Sequence, residues 1–199
     1  MWLSHFWLII GWTLYGILHS ILASRDCKDF VARKFKTIYR YYRLFYIIVA
    51  CITIIPLLWL LYLTPSFLLW EPGLLSRIGG IACVIIGSVI MALSLRLYFS
   101  TVLRIRDLVT ETSDSVLFQK GLHSHVRHPL YLGTFFMLWG IFLMIPLGSF
   151  LVTNIVITLY TLLGIRFEEK KLKAAFGDIY LRYMKEVPMI WPRLGKSKR

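Results

Sequence analysis

The chain has 199 residues, of which 58% are hydrophobic, and its mean hydropathy is +0.68. It is too apolar for an ordinary soluble domain and long enough for one compact bundle. The formal net charge is +13, but basic loops beside membrane helices explain this charge better than nucleic-acid binding does. We therefore predict an integral membrane protein whose partners include membrane lipids and no nucleic acid.

Four apolar blocks follow one another along the chain. A helix that crosses a hydrocarbon core of about 30 Å needs roughly 20 residues, so the first three blocks can each cross once. The fourth block, 129–165, is about twice too long, and a helix-breaking Ile-Pro-Leu-Gly-Ser group lies near its middle at 145–149. The sequence predicts an all-α protein with five transmembrane helices, the last two a tight hairpin, at about 5–23, 42–63, 78–99, 129–145 and 149–165.

Charge placement predicts the orientation of these helices, because basic loops stay on the cytoplasmic side. Of the 23 lysines and arginines, 22 lie in the first loop, in the stretch before the fourth helix and in the tail, whereas only Arg77 lies at the opposite end. We therefore expect an N-terminus outside and a C-terminus in the cytoplasm. A prokaryotic inner membrane is the simplest location for such a chain.

The tail, 166–199, is amphipathic. Apolar residues recur at helical spacing between basic ones, so we expect a cytoplasmic C-terminal helix that packs on the mouth of the bundle, with Gly177 marking a break between two shorter helices. The three cysteines lack metal-ligand spacing, and no metal site is predicted. We interpret 1–199 as a single domain.

Polar chemistry concentrates where the fourth helix begins. Pro129 suits the first turn of a helix, so Arg127 and His128 precede the helix and Tyr131 lies within its first turns. Gly133 permits the close approach of a backbone or a ligand. Alternatively, Arg127 and His128 simply anchor the helix at the membrane interface. The loop from Ser100 to His128 is long and polar, as functional covers often are.

Two adjacent carboxylates, Glu168 and Glu169, begin the tail. Glu169 and Lys173 have the spacing of a surface ion pair on a helix. The alternative is that one of the two carboxylates faces inward and holds the ammonium group of a ligand.

These residues carry a family resemblance. The segment Gly121–Gly133 resembles the G-x-Y-x-x-x-R-H-P-x-Y-x-G signature of the isoprenylcysteine carboxyl methyltransferase and phospholipid methyltransferase superfamily. The Glu-Glu pair at 168–169, followed by Leu, Phe-Gly and two tyrosines up to 183, is similar to the second signature of that superfamily. The two motifs occur in order and cover about residues 119–192.

The resemblance implies S-adenosylmethionine as cofactor, S-adenosylhomocysteine as product and a cofactor site at the cytoplasmic mouth. It implies that the pocket is formed by the following residues, with Arg127 orienting the loop and one glutamate accepting from the α-ammonium group: His123, Arg127, His128, Tyr131, Gly133, Glu168 and Glu169. At His123 this chain departs from the family, which usually has an aromatic Tyr or Phe there.

Methyl transfer requires mainly that the acceptor be aligned with the sulfonium methyl group and shielded from water. A carboxylate or thiolate acceptor needs a positioning cation, for which Arg166 and Arg182 are candidates. A neutral thiol or lipid amine needs a base, and His123 or His125 can serve. His19, in the first helix, is a further catalytic candidate, because polar groups in crossing helices are costly.

A different class of function competes with methyl transfer. The N-terminal half, around His19 and the Tyr41-Tyr42-Arg43 segment, resembles bacterial relatives that include methanethiol S-methyltransferases and NnrU-like proteins. NnrU-like proteins and zeta-carotene isomerase suggest a haem-binding membrane protein, with His19 and His128 as ligands. Haem, however, does not need the paired glutamates.

Overall fold

A computed structural model describes residues 2–102 and 117–192 of the chain. This part is almost entirely helical. The helices are α1 (Trp2–Ala23), α2 (Arg25–Lys34), α3 (Lys36–Tyr39), α4 (Tyr42–Leu63), α5 (Leu74–Val102), α6 (Pro129–Met144) and α7 (Gly148–Glu186), with a 3-10 turn at Gly121–Ser124 before α6. Most of the predicted cover loop, including Arg104 and Arg106, lies outside the described residues, as do the last seven residues of the tail.

Four of the described helices are long and apolar enough to cross a membrane: Leu3–Ala23, Tyr42–Leu63, Leu74–Leu97 and Gly148–Glu186. The predicted all-α membrane class is confirmed. The predicted count of five crossings is not, because α6 has only 16 residues and a rise of about 24 Å. The first two predicted spans agree with the structure within three residues, whereas α5 begins four residues earlier than predicted.

The predicted end of the fifth helix differs most from the structure. We expected a crossing helix to end at residue 165 and a separate tail helix to follow, but α7 continues through this point without interruption. Nothing in 160–170 breaks a helix, since it contains no proline and its one glycine, Gly164, keeps a helical backbone. The predicted break at Gly177 is confirmed, because its φ of 51° and ψ of −128° are non-helical.

The described chain forms two compact units, each with its own core. The first consists mainly of residues 2–71 and 146–160. There, Leu8 and Trp12 of α1 pack against Leu57 of α4, and the Tyr42 hydroxyl donates to the Leu22 carbonyl where α1 ends and α4 begins.

At the other end of this first unit, two turns are joined by backbone hydrogen bonds. The Leu69 N–H donates to the Pro146 carbonyl and the Gly148 N–H to the Phe67 carbonyl. The turn after α4 therefore lies at the same end of the unit as the turn that starts α7.

The second unit consists mainly of residues 72–100, 117–145 and 161–192. In it, α5 and α6 run antiparallel, and their backbones are close together at two glycines on each helix. Gly80 and Gly87 of α5 lie seven residues apart, as do Gly133 and Gly140 of α6. A Cβ atom on Gly87 would lie 2.6 Å from the Gly133 carbonyl oxygen, and one on Gly140 would lie 2.9 Å from that of Gly80. Small residues allow this approach, as is typical of helix pairs in membranes. Because this packing holds the start of α6 against α5, it positions the polar residues there.

Candidate active site

The segment before α6 is held against the chain that follows α7. The N–H groups of Arg127 and His128 donate to the carbonyls of Pro188 and Met189, at 2.9 and 3.1 Å. The neighbouring side chains Val126 and Ile190 are buried in one apolar cluster with Ile165. This two-residue pairing joins the end of the first motif to a segment 61 residues later, just beyond the second motif.

Arg127 and Glu169 form a buried ion pair. The Arg127 Nε and Nη2 atoms lie 2.7 and 2.6 Å from the Glu169 Oε1 atom, and the two side chains are only 7% and 11% exposed. Arg127 Nη1 also donates to the carbonyls of Met184 and Val187, at 3.2 and 2.6 Å. Burying two charges is costly unless they are paired and hydrogen-bonded, and here both conditions are met. Glu169 thus faces inward, and the surface pair with the exposed Lys173 is not formed.

Glu169 accepts from more than the arginine. The Tyr180 hydroxyl donates to the same Oε1 atom at 3.4 Å, and the His128 Nε2 atom also lies 3.4 Å from it. Tyr180 and His128 are themselves buried. Glu169 is therefore already neutralised and surrounded by groups of the protein itself.

Glu168 has a different environment. Its side chain is 45% exposed, its Oε2 atom accepts from the Tyr131 hydroxyl at 3.2 Å, and the His128 Nδ1 atom is 3.7 Å away. No arginine or lysine pairs with it in the described part of the chain. Of the two adjacent carboxylates, Glu168 is the one free to bind an external cation.

Tyr180 reaches Glu169 only because α7 is kinked. Tyr180 lies eleven positions after Glu169, which in a straight helix is a rise of about 16 Å. The conformation of Gly177 redirects the chain between them, and a residue with a Cβ atom rarely adopts it. The sequence motif contains this glycine and both tyrosines. We did not predict Tyr180 or Tyr183 as site residues, because periodicity gives no direction for a chain after a break.

His123 lies in the 3-10 turn under the tail. Its carbonyl accepts from the Tyr183 hydroxyl at 2.6 Å, and its ring lies 6.2 Å from that of Phe118. The Nδ1 atom is buried and has no hydrogen-bond partner among the described residues. Burial, and to a lesser extent the neighbouring His128, lowers the pKa of His123 below 6.5. A neutral imidazole with an unpaired nitrogen can accept from or donate to a ligand.

The remaining predicted residues have other surroundings. Arg166 and Arg182 are exposed on α7, and His125 is exposed beside Ser124. Gly133 is buried against Gly87 and Met91 of α5, so a packing role accounts for it. His19 belongs to the first unit, where its ring lies near those of Tyr15, Tyr46 and Tyr160 and hydrogen-bonds with the Tyr46 hydroxyl.

Comparison with known proteins identifies the class of this molecule. The phospholipid methyltransferase family model matches residues 75–179, just over half of the chain. The chain therefore belongs to the phospholipid methyltransferase family, and the resemblance inferred from its two motifs is confirmed. With its apolar helices, this membership identifies an integral membrane protein.

Individual relatives are similar over part of their length. The chain is 40% identical to a methanethiol S-methyltransferase of Crocosphaera subtropica over 79 residues, which are 39% of this chain and 29% of the relative. It is 36% identical to a protein-S-isoprenylcysteine O-methyltransferase of Schizosaccharomyces pombe over 78 residues, 38% of this chain and 32% of the relative. The alignments thus span less than a third of either relative. No solved structure matches this chain.

Proposed function

We propose that this protein is an S-adenosylmethionine-dependent methyltransferase whose cofactor site is formed by the start of α6 and the second half of α7. The observation that carries this proposal is that the two adjacent glutamates have different surroundings. Glu169 forms a buried ion pair with Arg127, whereas the Glu168 carboxylate is half-exposed beside Tyr131 and His128. An exposed carboxylate held by a tyrosine suits an α-ammonium group.

The chemistry of the donor set fits this cofactor. Glu168 would accept from the ammonium group, with Tyr131 and His128 holding the carboxylate in place. The unpaired Nδ1 atom of His123, beside the Phe118 ring, offers a hydrogen bond and an aromatic surface suited to an adenine ring. Arg127 and Glu169 would act as positioning residues, because their contacts are with each other and with the tail. Gly133 would contribute only through helix packing.

The bound sulfonium supplies an activated methyl group. The protein then has to align an acceptor with it and exclude water, and no covalent protein intermediate is required. The exposed guanidinium groups of Arg166 and Arg182 are candidates for holding an anionic acceptor. The exposed His125 is the candidate for taking a proton from a neutral acceptor, because the His123 ring is assigned to the adenine. These roles are hypotheses. His19, in the first unit, stays a predicted catalytic residue.

For the acceptor, we propose a small or lipophilic thiol. Relatives named methanethiol S-methyltransferase include those of Crocosphaera subtropica and Pseudomonas deceptionensis. A lipophilic carboxylate is the second candidate, because the fission-yeast relative is named an O-methyltransferase, and a lipid amine is the third. Purified protein in nanodiscs should methylate thiols faster than carboxylates or amines of matched chain length. Faster methylation of a carboxylate would overturn the thiol assignment.

Calorimetric titration with S-adenosylhomocysteine tests the cofactor site. Glu168→Gln should weaken binding at least about tenfold, because a charge-assisted hydrogen bond contributes about 1.5–3 kcal/mol. Glu186→Gln is the matched control, since Glu186 is an exposed carboxylate on the same helix, and its affinity should equal that of the wild type. Equal affinity in Glu168→Gln would remove the ammonium contact.

The same titration decides the alternative function. Folded wild-type protein that binds no S-adenosylhomocysteine but shows a Soret band would restore the haem hypothesis. The family membership disfavours that hypothesis.

A further inference from the structure

The connection between α1 and α4 forms a basic and aromatic surface that methyl transfer does not use. We name it the α2–α3 surface and define it as Arg25–Tyr41. It contains six basic side chains and two acidic ones: Arg25, Lys28, Arg33, Lys34, Lys36 and Arg40 against Asp26 and Asp29. None of these charged groups forms an ion pair with a described residue.

Apolar side chains are interleaved with these charges. Phe30, Phe35, Ile38 and Tyr41 are each between 45% and 62% exposed. The Lys34 Nζ atom lies 5.7 and 5.8 Å from the centres of the Phe30 and Phe35 rings, and the Arg40 guanidinium lies 4.6 Å from that of Tyr41. Exposed rings beside cations are typical of helices that lie in the membrane interface, where rings enter the acyl boundary and cations reach the headgroups.

The fold holds this surface close to the bilayer. It joins two candidate membrane spans, and the hydrogen bond from the Tyr42 hydroxyl to the Leu22 carbonyl shows that their ends meet. A segment tethered at both ends in this way meets headgroups at high local concentration. With six basic and two acidic side chains the surface has a net charge of +4. Zwitterionic headgroups have no net charge to balance it, whereas anionic headgroups do.

From these observations we propose that the α2–α3 surface binds anionic phospholipid headgroups. Lys34 and Arg40 contact the phosphate groups, and the rings of Phe30, Phe35 and Tyr41 enter the upper acyl region. The partner is a lipid of the surrounding bilayer, and the interaction is independent of the methyl-transfer site.

Native mass spectrometry of the full-length protein in detergent, titrated with phosphatidylglycerol or phosphatidylcholine, tests the proposal. The wild type should retain phosphatidylglycerol in preference. Lys34→Gln/Arg40→Gln should lower the phosphatidylglycerol affinity at least about tenfold, and Lys34→Arg/Arg40→Lys should retain it. Lys171→Gln/Lys173→Gln removes the same charge from exposed positions on α7 and should leave the affinity unchanged. Equal losses in both double-Gln variants would show an effect of net charge alone and would overturn the proposal.

A depth measurement tests the apolar half independently. With the native cysteines replaced, nitroxide labels at Ile38→Cys and Lys36→Cys are compared in nanodiscs that contain phosphatidylglycerol. The label at residue 38 should be more accessible to oxygen, and the label at residue 36 to a water-soluble nickel chelate. If both labels are equally accessible to the nickel chelate, the surface lies in water and the proposal fails.

Discussion

At the scale of the residue, the adjacent glutamates Glu168 and Glu169 have different contacts and different exposure on the same helix. Successive side chains on an α-helix point about 100° apart, so one can face the interior while the next faces a ligand or solvent. Glu169 faces Arg127, His128 and Tyr180, and Glu168 faces Tyr131. The sequence motif gives two carboxylates, and only the packing distinguishes the structural one from the available one.

Glu169→Gln should therefore destabilise the protein strongly. The substitution keeps the shape of the side chain but leaves Arg127 buried without its counter-charge, and breaking a buried pair in this way costs about 3 kcal/mol or more. The free energy of unfolding in mixed micelles measures the loss. Glu168→Gln, which changes a half-exposed carboxylate on the same turn, should cost less than about 1 kcal/mol. An equal loss of unfolding free energy in the two variants would contradict the assignment of Glu169 as a positioning residue that stabilises the site.

The lowered pKa of His123 predicts that the folding stability depends on pH. Because the pKa of its buried imidazole is lowered in the folded state, the unfolded chain binds the proton more readily, and folding stability falls on acidification. The loss begins as the pH drops through about 6.5, the unfolded pKa, and is complete below the lowered folded value. Denaturation profiles from pH 7.5 to 5 should be flatter for His123→Gln than for the wild type.

Two other ionisable side chains lie near this ring, namely His128 and, through its hydrogen bond to the His123 carbonyl, Tyr183. The exposed His125→Gln is therefore the control, and its profile should follow that of the wild type. A His123→Gln profile as steep as that of the wild type would assign the acid sensitivity to other groups.

At the scale of the element, Gly177 determines what α7 can do. Without its positive φ the helix would run straight and carry Tyr180 away from Glu169. Gly177→Ala should cost about 1–3 kcal/mol through backbone strain alone, since a Cβ atom there would meet no other atom within 4 Å. The free energy of unfolding in mixed micelles should fall accordingly.

Gly164 provides a matched control on the same helix. Its Cβ position is equally open but its φ is not positive, so Gly164→Ala should be neutral or slightly stabilising. If the two alanine variants are equally stable, the kink is not set by the conformation of residue 177.

The same helix shows how far the sequence determines the site. Hydrophobicity and length predict where α1 and α4 begin and end, and the motif spacing predicts which residues belong together. Neither predicts that Arg127 bonds to the carbonyls of Met184 and Val187, because those acceptors are backbone groups that any sequence would supply. The predicted helix end at residue 165 does not occur in the structure. The sequence becomes polar there, but its residues still favour a helix.

At the scale of the whole molecule, the number of membrane crossings depends on which turns share a side of the bilayer. The hydrogen bonds between 67–69 and 146–148 place the turn after α4 and the turn before α7 at the same end of the first unit. Two turns joined by main-chain hydrogen bonds of 2.8 and 3.1 Å lie on the same side of a bilayer, because the hydrocarbon core is about 30 Å thick. α7 is long enough to cross from that side even though α6 is short.

Labelling of single cysteines in intact cells by a membrane-impermeant maleimide, with the three native cysteines replaced, tests which turns lie outside. With the N-terminus outside and the C-terminus in the cytoplasm, as charge placement predicts, Glu71→Cys and Ile145→Cys should react from outside. Lys36→Cys and Lys171→Cys should react only after lysis. All four native side chains are exposed on the protein surface, so differences in reactivity do not come from burial within the protein. Reaction of Lys171→Cys in intact cells would place the second half of α7 outside, away from cytoplasmic S-adenosylmethionine, and would contradict the proposed orientation together with the proposed function.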